Sequence, residues 1–504
     1  MSARTVVATL RQRWTVAPEA PARVRRAYLD TADWRLFRAG HTLEADGPIA
    51  SSNGAVPHVS LTLRDETGGA VVGPTEMTPA PAFAPDLPAG PAWEDVAAAI
   101  GDRCLFPQAE METRIHRYAI RNADDKTTAR VALEHHAPGG GRVLRLVSVV
   151  PLRGYEATAA RIVKELSTSG LVELDAPVLV LAREKLGQSP PGRVLGPGVE
   201  LDPGMPAGRA VGAVLGRLRE QMLSHEDGVR AQLDHEFLHE WRVALRRARS
   251  IVRQMPGVLP PDELGFLGAE LGWLGGVTSP IRDLDVYLDE LAPERDGELT
   301  PLVSYLTDRR ASAQGDLVEA LDSDRFSRLL EAWEALEEAD PDPASAPEAV
   351  RPAADVAGRV IARAHRRVLR RGAAIGPDTP PEALHNLRKR AKELRYLLEC
   401  FQTLYPADER AAVVRELKAL QDNLGEYQDC QVQAATLRTM AADLFDARTA
   451  PASTLMAMGR LADGLDQRQS RARDEFEGRF RRFSSPANRK RFASLTEHAP
   501  RDGS

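Results

Sequence analysis

The sequence predicts two dissimilar domains: an α+β domain built on an antiparallel sheet, then an all-α domain of two related four-helix bundles. Three observations predict it. Short alternating or β-branched runs fill residues 1–186, and a Pro/Gly-rich stretch at 187–208 then breaks all periodicity. Beyond it a helical unit occurs twice, at a constant offset of 146 residues from His239 to His385. A chain of 504 residues also exceeds what one hydrophobic core usually supports.

In the first domain, HVSLTLRD (58–65), TARVALEHH (128–136) and RVLRLVSVVPL (142–152) have strand character. Helical stretches at 91–101 and 154–169 interrupt them, so the pattern is α+β rather than all-β. The segment GQSPPGRVLGPGVELDPGMPAG (187–208) reads as a linker. From 209 the pattern is helical nearly throughout, with a second Pro/Ala break at 340–354.

The duplication is clearest in two blocks. EFLHEWRVALRRAR (236–249) aligns with EALHNLRKRAKELR (382–395), and ELGWLGGVTSPIRDLDV (270–286) aligns without a gap with ELKALQDNLGEYQDCQV (416–432). The copies span 209–340 and 355–495, each with room for about four helices, and short connections favour antiparallel neighbours.

With 43% hydrophobic and 27% charged residues the chain reads as soluble and globular. No run approaches the roughly 18 apolar residues of a membrane span, and the N-terminus lacks the apolar core of a signal peptide. Cys104, Cys400 and Cys430 lie far apart and form no CxxC pair, so neither a disulfide framework nor a zinc site is indicated, and reduced thiols fit a cytoplasmic location. No cofactor is indicated. The net charge of −6 hides strong segregation: RVIARAHRRVLRR (359–371) holds arginines and no acid, whereas EAWEALEEAD (331–340) is acidic.

His239, Arg242, Arg246 and Arg249 follow i, i+3, i+7, i+10, which confines them to an arc of about 80° on a helix. Arg253 extends the stripe by a turn. His385, Arg388, Lys392 and Arg395 repeat the geometry, with Lys389 and Tyr396 beside them. The like-charge pairs Arg242/Arg246 and Arg249/Arg253 each cost an isolated helix roughly 0.2 to 0.5 kcal/mol. Something must supply anions. Asp283, Asp285 and Asp429 on the following helices could do so internally, yet three carboxylates cannot neutralise two stripes and the arginine-rich helix at 359–371. The expectation is partial internal pairing, with most cations facing an external polyanion.

Arginine forks match phosphate oxygens bidentately, and lysine adds a compact charge. Readers of single-stranded nucleic acid interleave aromatics for stacking. Here aromatics total 5%, and in the basic helices Trp241 and Phe401 fit core positions, so a phosphate chain without bases is the better match. The two histidines have no metal-type residue at i+4, where Val243 and Lys389 stand. Metal binding is not expected from them, and a structural or phosphate-contacting role is.

These residues resemble the CHAD family, named for conserved histidines in an α-helical domain. The matching signatures are H-x-x-R-V-x-x-R-R-x-R at 239–249, R-D-L-D-V at 282–286, H-x-L-R-x-x-x-K-x-L-R-Y at 385–396 and L-K-x-L-Q-x-x-L-G at 417–425. The resemblance covers about 209–495. It implies two bundles related by pseudo-twofold symmetry whose basic surface binds inorganic polyphosphate, in proteins found with polyphosphate granules. Carried over, the contacts are His239, Arg242, Arg246, Arg249, Arg253, His385, Arg388, Lys389, Lys392, Arg395 and Lys418. Arg363, Arg367 and Arg370 join them from periodicity alone.

The stretch YLDTADWRLFRAGHTLEAD (28–46) is similar to the early strand-turn segment of the CYTH family, a triphosphate-tunnel barrel. The implied domain is 1–186. Its implied metal and triphosphate ligands are missing: TVVATLRQRW (5–14) holds no acid, Glu44 and Asp46 stand where a basic pair is usual, and LRLVSVVP (144–151) replaces the late acidic strand. Arg64, Arg114 and Arg117 are left as tunnel candidates. The expectation is a degenerate, non-catalytic barrel beside a polyphosphate-binding helical domain. The rival is a metal-dependent triphosphatase or polyphosphate-processing barrel to which the helical domain recruits substrate. Nucleic-acid binding is a third reading.

Overall fold

The computed structural model describes residues 3–48, 58–65, 70–137, 143–174, 176–188, 196–291, 297–340 and 342–497. The chain divides into two units, Met1–Val194 and Leu195–Ser504. Of the expected linker, 189–195 lies outside the described residues.

The first unit contains α1 (Ala3–Arg11), β1 (Thr15–Pro18), β2 (Ala22–Asp30), α2 (Arg35–Arg38), β3 (His41–Gly47), β4 (Val59–Asp65), β5 (Ala70–Met77), α3 (Pro91–Ile100), β6 (Phe106–Arg121), β7 (Thr127–Ala137), β8 (Leu144–Pro151), α4 (Glu156–Thr168) and α5 (Val178–Lys185). The strands form one antiparallel sheet in the order β5-β4-β3-β2-β6-β7-β8. The 16-residue β6 pairs with β2 along its first part and with β1 along its last. The sheet curls into a half-barrel, and among the described residues β5 and β8 do not pair with each other. Alternation explains its two faces. Leu43, Leu61 and Leu63 pack with Trp93, Val96 and Ile100 of α3, while Ile120, Val131 and Leu133 pack with Leu10 of α1 and Ile162 of α4. The intervening residues point the other way, and there the buried side chains include Arg26, Glu44, Thr113 and His136.

The second unit is helical, and its two copies run in parallel order. Copy one holds α6 (Ala207–Leu223), the short α7 (Glu226–Ala231), α8 (His235–Gln254), α9 (Pro261–Glu290), α10 (Thr300–Leu321) and α11 (Asp324–Glu338). Copy two holds α12 (Ala353–Ala373), α13 (Pro381–Cys400), α14 (Ala407–Asp446), α15 (Ala452–Phe483) and α16 (Pro486–Glu497). Among the described residues copy one thus carries two helices beyond four, α7 and α11, and copy two carries one, α16. Ser323 caps α11 by accepting from the Phe326 N–H, and Pro486 opens α16.

α8 begins where Asp234 accepts hydrogen bonds from the Glu236 and Phe237 amides. One side of it buries Trp241, Ala244, Leu245, Ala248 and Ile251, which leaves the arginine stripe on the other. The copies share a core in which Leu284 and Tyr287 of α9 and Leu306 of α10 pack with Leu437 and Met440 of α14 and Leu465 of α15. A shared core fixes the geometry between the two stripes.

Candidate functional site

α9 is locally unusual because of the segment GWLGGVTSP (272–280). Three glycines in a helix interior each cost about 1 kcal/mol relative to alanine. Pro280 can donate no backbone hydrogen bond one turn back, and Thr278 and Ser279 turn their hydroxyls onto the Leu274 and Gly275 carbonyls at 3.0 and 2.8 Å. The consequence is space beside α8. A cleft of about 270 Å³ opens there, lined by Arg242, Arg246, Arg249, Gly272, Gly275 and Ser279 among others, and by no carboxylate. A Cβ at Gly272 would meet the Arg249 guanidinium at 3.5 Å.

Arg242 is aimed by neutral acceptors. Its Nη1 donates to Thr278 Oγ1 at 2.6 Å and its Nη2 to Ser279 Oγ at 3.2 Å. Burial, then the charge of Arg246, lowers its pKa to about 10. The Nε groups of Arg242 and Arg246, with Nη1 of Arg282, are buried donors without acceptors among the described residues. Such orphan donors carry the full cost of desolvation until an acceptor arrives.

In copy two Arg388 donates to Asp429 at 2.9 Å, although its Nε is also a buried donor without an acceptor. Arg395 donates to Glu399 at 2.6 Å. Lys392 pairs with no carboxylate among the described residues, and burial followed by the charges of Arg388 and Arg246 lowers its pKa to about 8. That Arg246 presses on Lys392 puts the two stripes in one electrostatic field, α8 packing on α13.

Of the internal acids expected to reach back, Asp429 alone takes an arginine of a stripe. Asp285 pairs with Arg310 at 2.6 Å, and Asp283 forms no ion pair among the described residues. Two glutamates that the sequence reading missed do more. Glu399 joins the copies by taking Arg247 of α8 at 2.8 Å as well as Arg395, and Glu393 takes Arg253 and Arg390. The signal was present, since Glu399 stands at the position equivalent to Arg253 and Glu393 at that of Arg247. Charge complementary across the repeat is what a contact between copies produces.

Of the other expected contacts, Lys389 is exposed beside the α13 stripe, whereas Lys418 on α14 and Arg363 and Arg370 on α12 are exposed on other helices, and Arg367 reaches Gln254 at 3.4 Å. His385 Nδ1 shares a hydrogen bond with Gln428 Oε1 at 2.9 Å. Burial and Arg282 lower the His239 pKa to about 4, so it is neutral at pH 7. Glu236, His239 and Glu240 bring one ligand atom each within 4.8 Å, a group that could hold a cation and that a search at i+4 alone overlooks. The charge of Arg282, felt by both His239 and Glu236, works against one there.

In the first unit, Arg26 lies between Asp46, at 2.7 Å, and Glu134, at 2.9 Å. Arg64 binds Glu44 at 2.8 Å, and His136 stands 3.2 Å from Glu134. These carboxylates are held by the unit's own cations and do not fit a metal site as they stand. Strand register puts Arg117 on the same face as Thr113, opposite Ala132, and corrects the expectation for Arg114, which lies on the opposite face and is exposed.

Residues 213–438 match the family model of the CHAD domain. Two uncharacterized proteins of Mycobacterium tuberculosis, from strains CDC 1551 / Oshkosh and ATCC 25618 / H37Rv, are each 31% identical over 276 residues, 52% of this chain and 51% of theirs. The chain thus matches about half the length of these curated relatives. Among solved structures, the CHAD domain from the plant Ricinus communis is similar at 26% identity and a TM-score of 0.45, over 60% of this chain and 96% of that one. PptA from Streptomyces chartreusis is similar at 19% identity and a TM-score of 0.44, over 55% and 99%.

Proposed function

From the premise that residues 213–438 form a CHAD domain, we propose that the helical unit binds inorganic polyphosphate along the face shared by α8 and α13. It holds the polymer without cleaving it, and the half-barrel is accessory. The observation that carries this reading is the cluster of cations on that face, Arg242, Arg246, Arg249 and Lys392, none of which has a carboxylate partner among the described residues. A chain of phosphate oxygens supplies acceptors and charge together. Trp241 and Phe401 are buried, which leaves Tyr396 as the aromatic beside the stripes on α8 and α13 among the described residues and supports a polyanion without bases. The internal pairing of Glu44, Asp46 and Glu134 supports binding over metal-assisted cleavage. Among the described residues no helix is long and apolar enough to cross a membrane. Granules of the polymer are the proposed location.

The test is a titration of the full chain with short, medium and long polyphosphates, with single-stranded RNA as competitor. Affinity should climb with chain length, and RNA should compete poorly. RNA competing as well as polyphosphate would overturn the reading. So would sustained phosphate release from tripolyphosphate with magnesium or manganese that Arg64→Ala abolishes.

A further inference from the structure

The two copies share a stripe but not its surroundings. At the constant offset, Gly272, Gly275 and Gly276 of α9 correspond to Lys418, Gln421 and Asp422 of α14. In copy two Gln421 lies against Arg395, its Oε1 3.5 Å from Nη1, and Asp429 takes Arg388. In copy one, glycine leaves the equivalent room open, and Arg242, Arg246 and Arg249 surround it with no carboxylate in the lining. The cleft is thus charged, oriented and small. Its roughly 270 Å³ falls below the 300 to 1,000 Å³ of pockets that hold drug-sized molecules, too small for a nucleotide to enter whole.

We infer that this cleft is a dedicated seat for a short inorganic phosphate of two or three units, either free or as the terminus of a chain, and that copy two has no equivalent. The inference rests on the polyphosphate reading above and adds to it a polarity: one end of the polymer is anchored in copy one, and the rest runs over α13. Arg242, held in place by Thr278 and Ser279, supplies a fixed positive charge, and Arg246 and Arg249 add two more to the lining. The glycines also bring the α9 backbone close to the ligand, a use to which this residue alone is suited.

The experiment compares pyrophosphate, tripolyphosphate and long-chain polyphosphate by calorimetric titration of the full chain at one ionic strength. Gly276→Asp installs the residue of copy two at an exposed position where an added Cβ meets nothing within 4 Å. It should weaken pyrophosphate and tripolyphosphate about tenfold through like-charge repulsion, and long chains less than about threefold. Gly276→Asn, of the same shape without the charge, should retain at least half the wild-type affinity. Asp422→Asn and Asp429→Asn in copy two should leave short phosphates unaffected. For the two sources, a long chain blocked at both ends should lose affinity if the terminus is what the cleft holds, and match the unblocked chain if it takes only free short phosphates. Short phosphates that do not bind, or bind Gly276→Asp as well as wild type while long chains bind normally, would overturn this inference alone. Failure of every chain length on the wild type would overturn the underlying reading instead.

Discussion

Replacing Arg246 and Lys392 together by glutamine should change the salt dependence of polyphosphate binding by a calculable amount. Among the described residues, the cations on the α8/α13 face with no carboxylate partner are Arg242, Arg246, Arg249, Lys389 and Lys392, whereas Arg253, Arg388 and Arg395 are paired internally. Each phosphate neutralised on a flexible single-stranded polyanion contributes about −0.7 to the slope of log K against log salt. Five free cations therefore predict a slope near −3.5, a loss of about a hundredfold in affinity between 50 and 200 mM salt by the same relation. The double variant removes two of them and should bring the slope to about −2. Fluorescence anisotropy with labelled long-chain polyphosphate at four salt concentrations reads it directly, with circular dichroism to confirm the fold. A wild-type slope shallower than −1, or one that the double substitution leaves unchanged, would refute the assignment of these side chains as the free cations.

Two further predictions follow from single groups. Because the Lys392 pKa is lowered to about 8 in the free protein and an adjacent polyanion raises it again, binding should take up protons and weaken as pH rises from 8 towards 10. Lys392→Arg should flatten that profile, and equal slopes in the two proteins would contradict the idea. In the free protein the sign for stability is opposite, since the depressed pKa means that the unfolded chain holds more protons between pH 8 and its ordinary value, so folding gains stability across that window. Glu399→Gln should destabilise the helical unit by about 2 to 3 kcal/mol, below the range for a fully buried pair, because it strands the largely buried Arg247 without its carboxylate. A urea midpoint unchanged from wild type would show that this bridge between the copies contributes nothing.

The sequence made the repeated stripe legible because both determinants are local. Helical period sets which residues share a face, and the offset of 146 shows the face twice. The same period placed Trp241 in the core, where it is fully buried. What escaped depended on distances along the chain that no periodicity reports. Glu399 is read locally as an i,i+4 partner of Arg395, and its reach to Arg247, 152 residues away, follows only from α8 packing on α13. The cleft was written in GWLGGVTSP, but glycines in a helix signal only that something approaches closely, not what. In the first unit the acids Glu44 and Asp46 were visible as sign reversals. Their neutralisation by Arg26 and Arg64 required the register of β2, β3 and β4.

The measurement that bears most directly on the central claim is the affinity of long-chain polyphosphate for the full chain and for its Arg242→Glu/Arg388→Glu variant, one reversal in each copy. The account predicts a variant that keeps its helical circular dichroism and loses at least a hundredfold in affinity. A folded variant that binds as tightly as the wild type would contradict it.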